Sequence, residues 1–301
     1  MKVAIIGCGR VGSTTAYTMM LSGVPSEIVL YDRNLDRALG EKLDIEHAVP
    51  ILDYVNFIAT DDLKDIVGSD LIVVSAGAAQ LKGQSRLDLI ASNKEVIAEL
   101  MPRIVEIAPK AIVIMITNPV DVLTQYAYSL APEMKGRIFG SGTLLDTLRF
   151  RYYLSQEIKI NPRSIHAYIL GEHGDHSFPV YENTMIGGKR LMDFGDIDEE
   201  VITFCYQRTR GAAGEVIALK GATYYAIAVV VTKLMEAIAS DAKTVFPLSV
   251  PLHNYYGISG VALSVPCILG GNGVERVLEV EFSKKEKEQM KKAAEEMRKY
   301  N

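Results

Sequence analysis

The sequence predicts an α/β chain, a doubly wound parallel sheet followed by an α+β unit, and two observations carry that prediction. Apolar runs at residues 3–6, 28–31, 71–74 and 111–116 are short, continuous and rich in β-branched side chains. Strands covered by helices on both faces look like this. Between the last two runs, Leu89, Ile90, Asn93, Val96, Ile97, Leu100 and Ile104 recur at helical spacing. Strand–helix–strand repetition winds right-handed into a parallel sheet. Near residue 140 the rhythm changes. Residues 164–170 read as a strand, Gly187-Gly188 as a turn, 199–240 as a long helical region and 250–269 as mixed β structure. A last helix starts at Ser283, where Ser283 and Glu286 form a capping box and Met290, Ala293, Ala294 and Met297 share a face. The expected division is residues 1–140 and 141–301.

Composition narrows the function classes. A chain of 301 residues with 49% hydrophobic and 23% charged residues has ample material for a core. A net charge of -5 supplies no basic footprint for nucleic acid and no polybasic run for a membrane. Cys8, Cys205 and Cys267 are odd in number and widely spaced, which suits a reducing cytoplasm rather than a disulfide frame or structural zinc. The first strand follows Met1 almost at once, so no targeting peptide is expected. The apolar stretch 222–239 carries Lys233 and Glu236 and reads as a buried helix rather than a membrane span.

Gly7-Cys8-Gly9-Arg10-Val11-Gly12 follows the first strand and opens a helical pattern. Gly7 permits a tight turn, Gly9 lets main-chain amides approach a pyrophosphate, and Gly12 lets helix and strand pack closely. Arg10 and Val11 begin the helix, whose free amides and positive dipole end attract phosphate. Asp32 ends the second strand twenty residues later, where a carboxylate binds both ribose hydroxyls and repels a 2′-phosphate. This pattern is the Rossmann fingerprint and favours NAD over NADP, although Arg33 stands beside Asp32.

Hydride addition to a carbonyl needs a proton donor, polarisation of the C=O, a carboxylate clamp and exclusion of water. His173 lies just past an apolar strand and titrates near neutrality. Asp146 and Arg149 lie three apart on one helical face, suited to a histidine and a carboxylate respectively. Arg86 sits in a polar stretch able to act as a lid, and Asn118 follows a strand at the carboxyl edge of the sheet. Taken singly, Asp146 and Arg149 fit a surface ion pair equally well, and His173 fits a turn. His173 and His176 have no third metal ligand at a telling distance.

These residues stand in longer strings: Ala76-Gly77-Ala78-Ala79-Gln80 through Arg86-Leu87-Asp88-Leu89, Thr117-Asn118-Pro119-Val120-Asp121, Gly140-Ser141-Gly142-Thr143-Leu144-Leu145-Asp146 and Gly171-Glu172-His173-Gly174-Asp175. In order and interval they resemble the L-lactate/malate dehydrogenase family along nearly the whole chain. The resemblance implies an NAD-dependent 2-hydroxy acid dehydrogenase with an NAD-binding domain at 1–140 and a substrate-binding domain at 141–301. It implies His173 as proton donor and acceptor, Asp146 as its partner, Arg149 on the substrate carboxylate and Arg86 on a lid. It also implies Asn118 against cofactor and substrate, and Thr223 as a pocket wall on the long helix. Gln80 maps to the position facing the substrate's variable end, glutamine in the lactate branch and arginine in the malate branch. Pyruvate and L-lactate are therefore expected, with malate or mixed 2-oxo acid use as the alternative. Glu172 leans the same way, while the stretch Gln80-Leu81-Lys82-Gly83-Gln84-Ser85-Arg86 departs from the usual lactate lid. Arg151 and His166 match positions that bind fructose 1,6-bisphosphate between subunits in many bacterial members. A homotetramer is implied, with a homodimer as the alternative.

Overall fold

The computed structural model of the chain describes residues 1–78, 86–182, 184–194 and 197–301, the side chain of Arg86 excepted. The first half runs β1 (Lys2–Ile6), α1 (Arg10–Leu21), β2 (Glu27–Tyr31), α2 (Leu35–Glu46), β3 (Asn56–Thr60), β4 (Leu71–Val74), α3 (Arg86–Ile107), β5 (Ile112–Met115), α4 (Val120–Leu130) and β6 (Ile138–Gly140). There follow α5 (Leu144–Ile158), β7 (Tyr168–Gly171), β8 (Ser177–Val180), β9 (Met185–Ile186), β10 (Lys189–Arg190) and α6 (Glu199–Lys220). The chain ends with α7 (Tyr225–Ala239), β11 (Thr244–Pro251), β12 (Ala262–Gly270), β13 (Gly273–Val277) and α8 (Lys284–Arg298).

β1, β2, β4 and β5 form where continuous β-branched runs leave no polar face, and each is buried from its second residue or throughout. The six strands of the first half are all parallel in the order β3-β2-β1-β4-β5-β6. The order reverses between β1 and β4, which opens a crevice at their carboxyl ends. Of the later strands, β7, β8, β11, β12 and β13 are antiparallel and extend the same sheet, while β9 and β10 form a separate two-stranded sheet. Ser249 of β11 pairs with Gly140 of β6, and Ser264 of β12 pairs with Gly171 of β7. Helix α7 packs on α1, with Thr18 and Thr232 hydroxyls 2.8 Å apart. Phe139, Phe150 and Phe178 are fully buried, each contributing about 2–3 kcal/mol of apolar transfer.

Several boundaries differ from the sequence expectation. The strand expected at 164–170 begins only at Tyr168, because Pro162–Ser164 forms a short 3-10 turn capped by the Asn161 side chain. The helical region 199–240 is two helices, since Gly221 ends α6 in the left-handed region at φ +84°. Thr223, expected on the long helix, therefore lies half-buried in the link between α6 and α7. The mixed β region is longer than expected and runs from Thr244 to Val277. Gly187 and Gly188, both at positive φ, make the two-residue turn between β9 and β10. The Ser283–Glu286 capping box of α8 forms as expected.

Candidate active site

The crevice is made first by main chain. Gly7 sits at φ +100°, and a β-carbon there would meet the Ala76 nitrogen at 2.7 Å. A β-carbon on Gly12 would stand 1.9 Å from the Gly7 carbonyl oxygen, so only glycine lets α1 start this close to β1. Gly9 differs. A β-carbon there meets nothing within 4 Å, so packing within the fold does not require glycine at this position. The Asp32 carboxylate is fixed beside this loop, Oδ2 accepting from the Cys8 N–H at 2.8 Å and Oδ1 from the Asn34 N–H at 2.9 Å. Arg37 approaches Asp32 at 3.8 Å. Gly7, Gly9, Asp32 and Arg37 line a cleft of about 490 Å³ that continues past Gly77 and Ala78 to Ser92, Glu95 and Val96 on α3. The Cys8 thiol lies beneath the loop, and burial pushes it up to about 12, which leaves it inert.

Two polar side chains tie the neighbouring loops together. Thr117 donates to the Ala76 carbonyl at 2.8 Å. Asn93, fully buried on α3, accepts from the Ala78 N–H at 2.8 Å and donates to the Asn118 carbonyl at 2.8 Å. Asn93 had counted only as a member of the apolar stripe. A polar residue at a buried helical position was the signal, since such a group must find partners. Asn118 thus stands exposed at the start of α4, on a loop held in place from behind.

The second layer comes from α5 and the turn after β7. Thr147 on α5 donates to the Ile169 carbonyl at 3.3 Å and accepts the Ile169 N–H at 2.9 Å, while Thr143 donates to the same carbonyl at 2.5 Å. With helix and strand locked, Asp146 Oδ2 lies 2.6 Å from His173 Nδ1 and Asp146 Oδ1 lies 3.1 Å from an Arg149 nitrogen. Asp146 is thus shared by both cations, in a site where its side chain is 14% exposed and that of His173 29% exposed. The Asp146 carboxylate lifts His173 to about 9 against the opposing effect of burial, and Asp121 adds to the rise. Burial alone would raise Asp146, but the charges and hydrogen bonds of His173 and Arg149 hold it below its ordinary value. His176 pairs with Glu172 at 2.8 Å instead of joining this cluster.

A further carboxylate was missed. Asp121 on α4 is 2% exposed and accepts the His173 main-chain N–H at 2.7 Å. Its signal was an acid within the Thr117–Asp121 string to which no role had been given.

Of the sequence-predicted residues, Asp146, Arg149 and His173 come together directly. Gly7, Gly9 and Asp32 line the cleft beside the glycine loop, while Arg10, Val11 and Gly12 begin α1. Gly221, just before Thr223, lies against Arg10, whose Nη1 is 3.5 Å from where a Gly221 β-carbon would stand. That contact brings the α6–α7 link over the loop. Arg151 and His166 lie apart from this site. Arg151 stacks over Tyr168 at 5.2 Å and donates to the Ala167 carbonyl at 2.8 Å, while His166 is exposed. Gln80 and the Arg86 side chain lie outside the described residues. Among the described residues no group of acids, histidines and cysteines is arranged to hold a metal ion. No helix among them is long and apolar enough to cross a membrane.

Comparison with known proteins matches residues 1–140 to the lactate/malate dehydrogenase NAD binding domain and residues 143–300 to the lactate/malate dehydrogenase alpha/beta C-terminal domain. An L-lactate dehydrogenase of Thermoanaerobacterium saccharolyticum is 43% identical over 97% of this chain and 96% of its own. One from Clostridium botulinum is 41% identical over 99% of this chain and 95% of its own. Among solved structures, a minor L-lactate dehydrogenase from Enterococcus mundtii superposes with a TM-score of 0.95 at 32% identity, covering 99% of this chain and 96% of its own. A lactate dehydrogenase from a Medee basin deep-sea metagenome library superposes equally well, at 0.95 and 34% identity, covering 99% of this chain and 97% of that one.

Proposed function

The chain belongs to the lactate/malate dehydrogenase family, and on that premise we propose that it is an NAD-dependent L-lactate dehydrogenase interconverting pyruvate and L-lactate. The observation that carries the chemistry is the carboxylate of Asp146 holding His173 on one oxygen and Arg149 on the other. The relatives named L-lactate dehydrogenase support the lactate branch, and so does glutamine at position 80.

The residues present fit a dinucleotide. The space over Gly9 and the carboxylate of Asp32 in the adjoining cleft suit a pyrophosphate and a ribose. Gly7, Gly9, Arg10, Val11 and Gly12 would hold the phosphates at the start of α1, Asp32 the ribose hydroxyls, and Asn118 the nicotinamide end. A 2′-phosphate would meet the fixed Asp32 carboxylate, which favours NAD over NADP. NAD, when bound, gives and takes back the hydride. The chain's own residues do the rest. Arg149 grips the substrate carboxylate with the donors that Asp146 leaves it. Arg86 polarises the carbonyl. Thr223 walls the pocket from the α6–α7 link. With Nδ1 engaged by Asp146, His173 exchanges its proton at Nε2, giving it to the carbonyl oxygen in reduction and taking it from the hydroxyl in oxidation. The resemblance assigns Gln80 to the substrate methyl, where a second carboxylate without a counter-charge would lose several kcal/mol to desolvation.

The wider assignments rest on the same reading. Residues 1–140 form the NAD-binding unit and 141–301 the substrate unit. The protein is a cytoplasmic enzyme, consistent with three unpaired, buried thiols. It works as a homotetramer, with a homodimer the alternative. The resemblance assigns Arg151 and His166 to a fructose 1,6-bisphosphate site between subunits. Steady-state reduction of pyruvate and oxaloacetate, each with NADH and NADPH, tests the proposal. Pyruvate with NADH is expected to lead by at least about tenfold in kcat/KM, ~1.4 kcal/mol. An enzyme preferring oxaloacetate is a malate dehydrogenase and overturns the substrate.

A further inference from the structure

Asp121 is, with Glu172, one of two almost wholly buried acids near the histidine, and no part in substrate binding or proton transfer has been given to it. It reaches the turn after β7 from α4, an element that contributes nothing else to the proton-transfer cluster. Oδ2 accepts the His173 N–H at 2.7 Å. Oδ1 and the Ser249 hydroxyl on β11 are both buried without a well-formed hydrogen bond, although Ser249 lies near enough to favour the ionised carboxyl. A buried carboxylate left half-satisfied costs free energy on the order of 1–3 kcal/mol or more. A neutral amide would make the same bond to His173 and donate to Ser249 as well. Retaining an acid here therefore asks for a reason that geometry alone does not give.

The charge supplies that reason. The groups bearing on Asp121 are His173, whose positive charge favours its ionised form, and Glu172, which opposes it. Glu172 is itself engaged by His176. Those bearing on the imidazole are Asp146, Asp121 and, in opposition, Arg149. The cation of Arg149 partly offsets Asp146, so a second anion restores the balance in favour of the imidazolium. We propose that Asp121 is a positioning residue for His173, seating the main chain of the proton-transferring turn and placing a second buried carboxylate beside the imidazole. This rests on the reading of His173 as the proton donor. Burial raises Asp121 to about 6, so it is mostly ionised at neutral pH and its support for the imidazolium fades below that.

Asp121→Asn and Asp121→Ala separate seat from charge. The imidazole titration of His173, followed by NMR in the full chain, is the primary readout. It needs no turnover. In Asp121→Asn the seat is kept, and the imidazole titrates lower by roughly half a pH unit or more. The alkaline limb of pyruvate reduction moves to lower pH by the same amount. In Asp121→Ala the seat is lost as well, so kcat falls at every pH while NADH binding, read by fluorescence, holds. An imidazole that titrates in Asp121→Asn as in the wild type overturns the charge, and wild-type kcat in Asp121→Ala overturns the seat. Should the wild type reduce neither 2-oxo acid, the proposed function fails, yet the imidazole titration still decides Asp121.

Discussion

The glycine loop at the end of β1 is built of main chain, whereas the histidine cluster at the end of β7 is built of side chains from α4, α5 and the β7–β8 turn. In the first, specificity comes from atoms that are missing: no β-carbon fits at Gly12, and none obstructs the space over Gly9. In the second it comes from a carboxylate divided between two cations and from threonines that lock Ile169 to α5. A main-chain site is local and tolerates change around it. A side-chain site is assembled by topology, and each member depends on the others. Substitutions should therefore separate binding from turnover cleanly across the two.

The largest expected effect lies in the histidine cluster. His173→Asn removes the only proton exchanged with substrate and is expected to lower kcat by about a thousandfold or more, roughly 4 kcal/mol. NADH binding, measured by fluorescence, should hold, because the described hydrogen bonds of His173 run to Asp121 and Asp146 rather than to the glycine loop. Comparable loss of binding and turnover would break the separation, and retained turnover would make His176 the acid to test.

Within the glycine loop, two substitutions of the same kind should differ. Gly12→Ala forces a β-carbon onto the Gly7 oxygen and is expected to cost about 1–3 kcal/mol of folding stability, seen as a lower Tm. Gly9→Ala meets no protein atom, so Tm should hold while NADH binding weakens. Equal Tm losses would show that Gly9 serves the fold rather than a ligand.

How much of this was legible follows the same division. The loop could be read directly, since glycine spacing, flanking strand and Asp32 are all local in sequence. β3 could not, because Asn56–Thr60 is short, polar at its start and only partly buried. β6 escaped for a similar reason, with three residues and a glycine at its end. In the second site, His173, Asp146 and Arg149 could each be nominated, yet spacing alone could not join them. Their joining needs the pairing of Gly171 with Ser264 and of Gly140 with Ser249. Asp121 and Asn93 stayed hidden because each serves main-chain atoms, and no sequence pattern marks a partner of that kind.

A smaller effect separates the cofactors. Asp32 is held by two main-chain amides, so its charge cannot turn away from a 2′-phosphate. Asp32→Ser is expected to narrow the NADH preference over NADPH by about tenfold, ~1.4 kcal/mol. An unchanged ratio would show that the Asp32 charge does not set the preference.

The smallest effect is a matter of pH, and it links the two regions through one proton. On the proposed mechanism His173 is protonated to reduce pyruvate and neutral to oxidise lactate. Asp146 lifts its titration to about 9, so reduction should stay level through neutrality and fall to half near pH 9. Oxidation should run the opposite way, rising toward the same point. Stability carries the same sign. The imidazolium binds its proton more tightly folded than unfolded, so its contribution is complete below the unfolded value of ~6.5 and is lost as pH rises through about 9. Asp146, held low, contributes above its unfolded value of ~3.9 and loses that contribution as pH falls through its lower folded value. Melting temperature and reduction rate should therefore decline together on the alkaline side, while NADH binding, proposed to rest on main-chain amides, Asp32 and Asn118, should not follow them. A reduction limb near the free-histidine value of ~6.5 would mean that Asp146 orients His173 without charging it. The distinction between a main-chain site that binds and a side-chain site that titrates would then have to be redrawn.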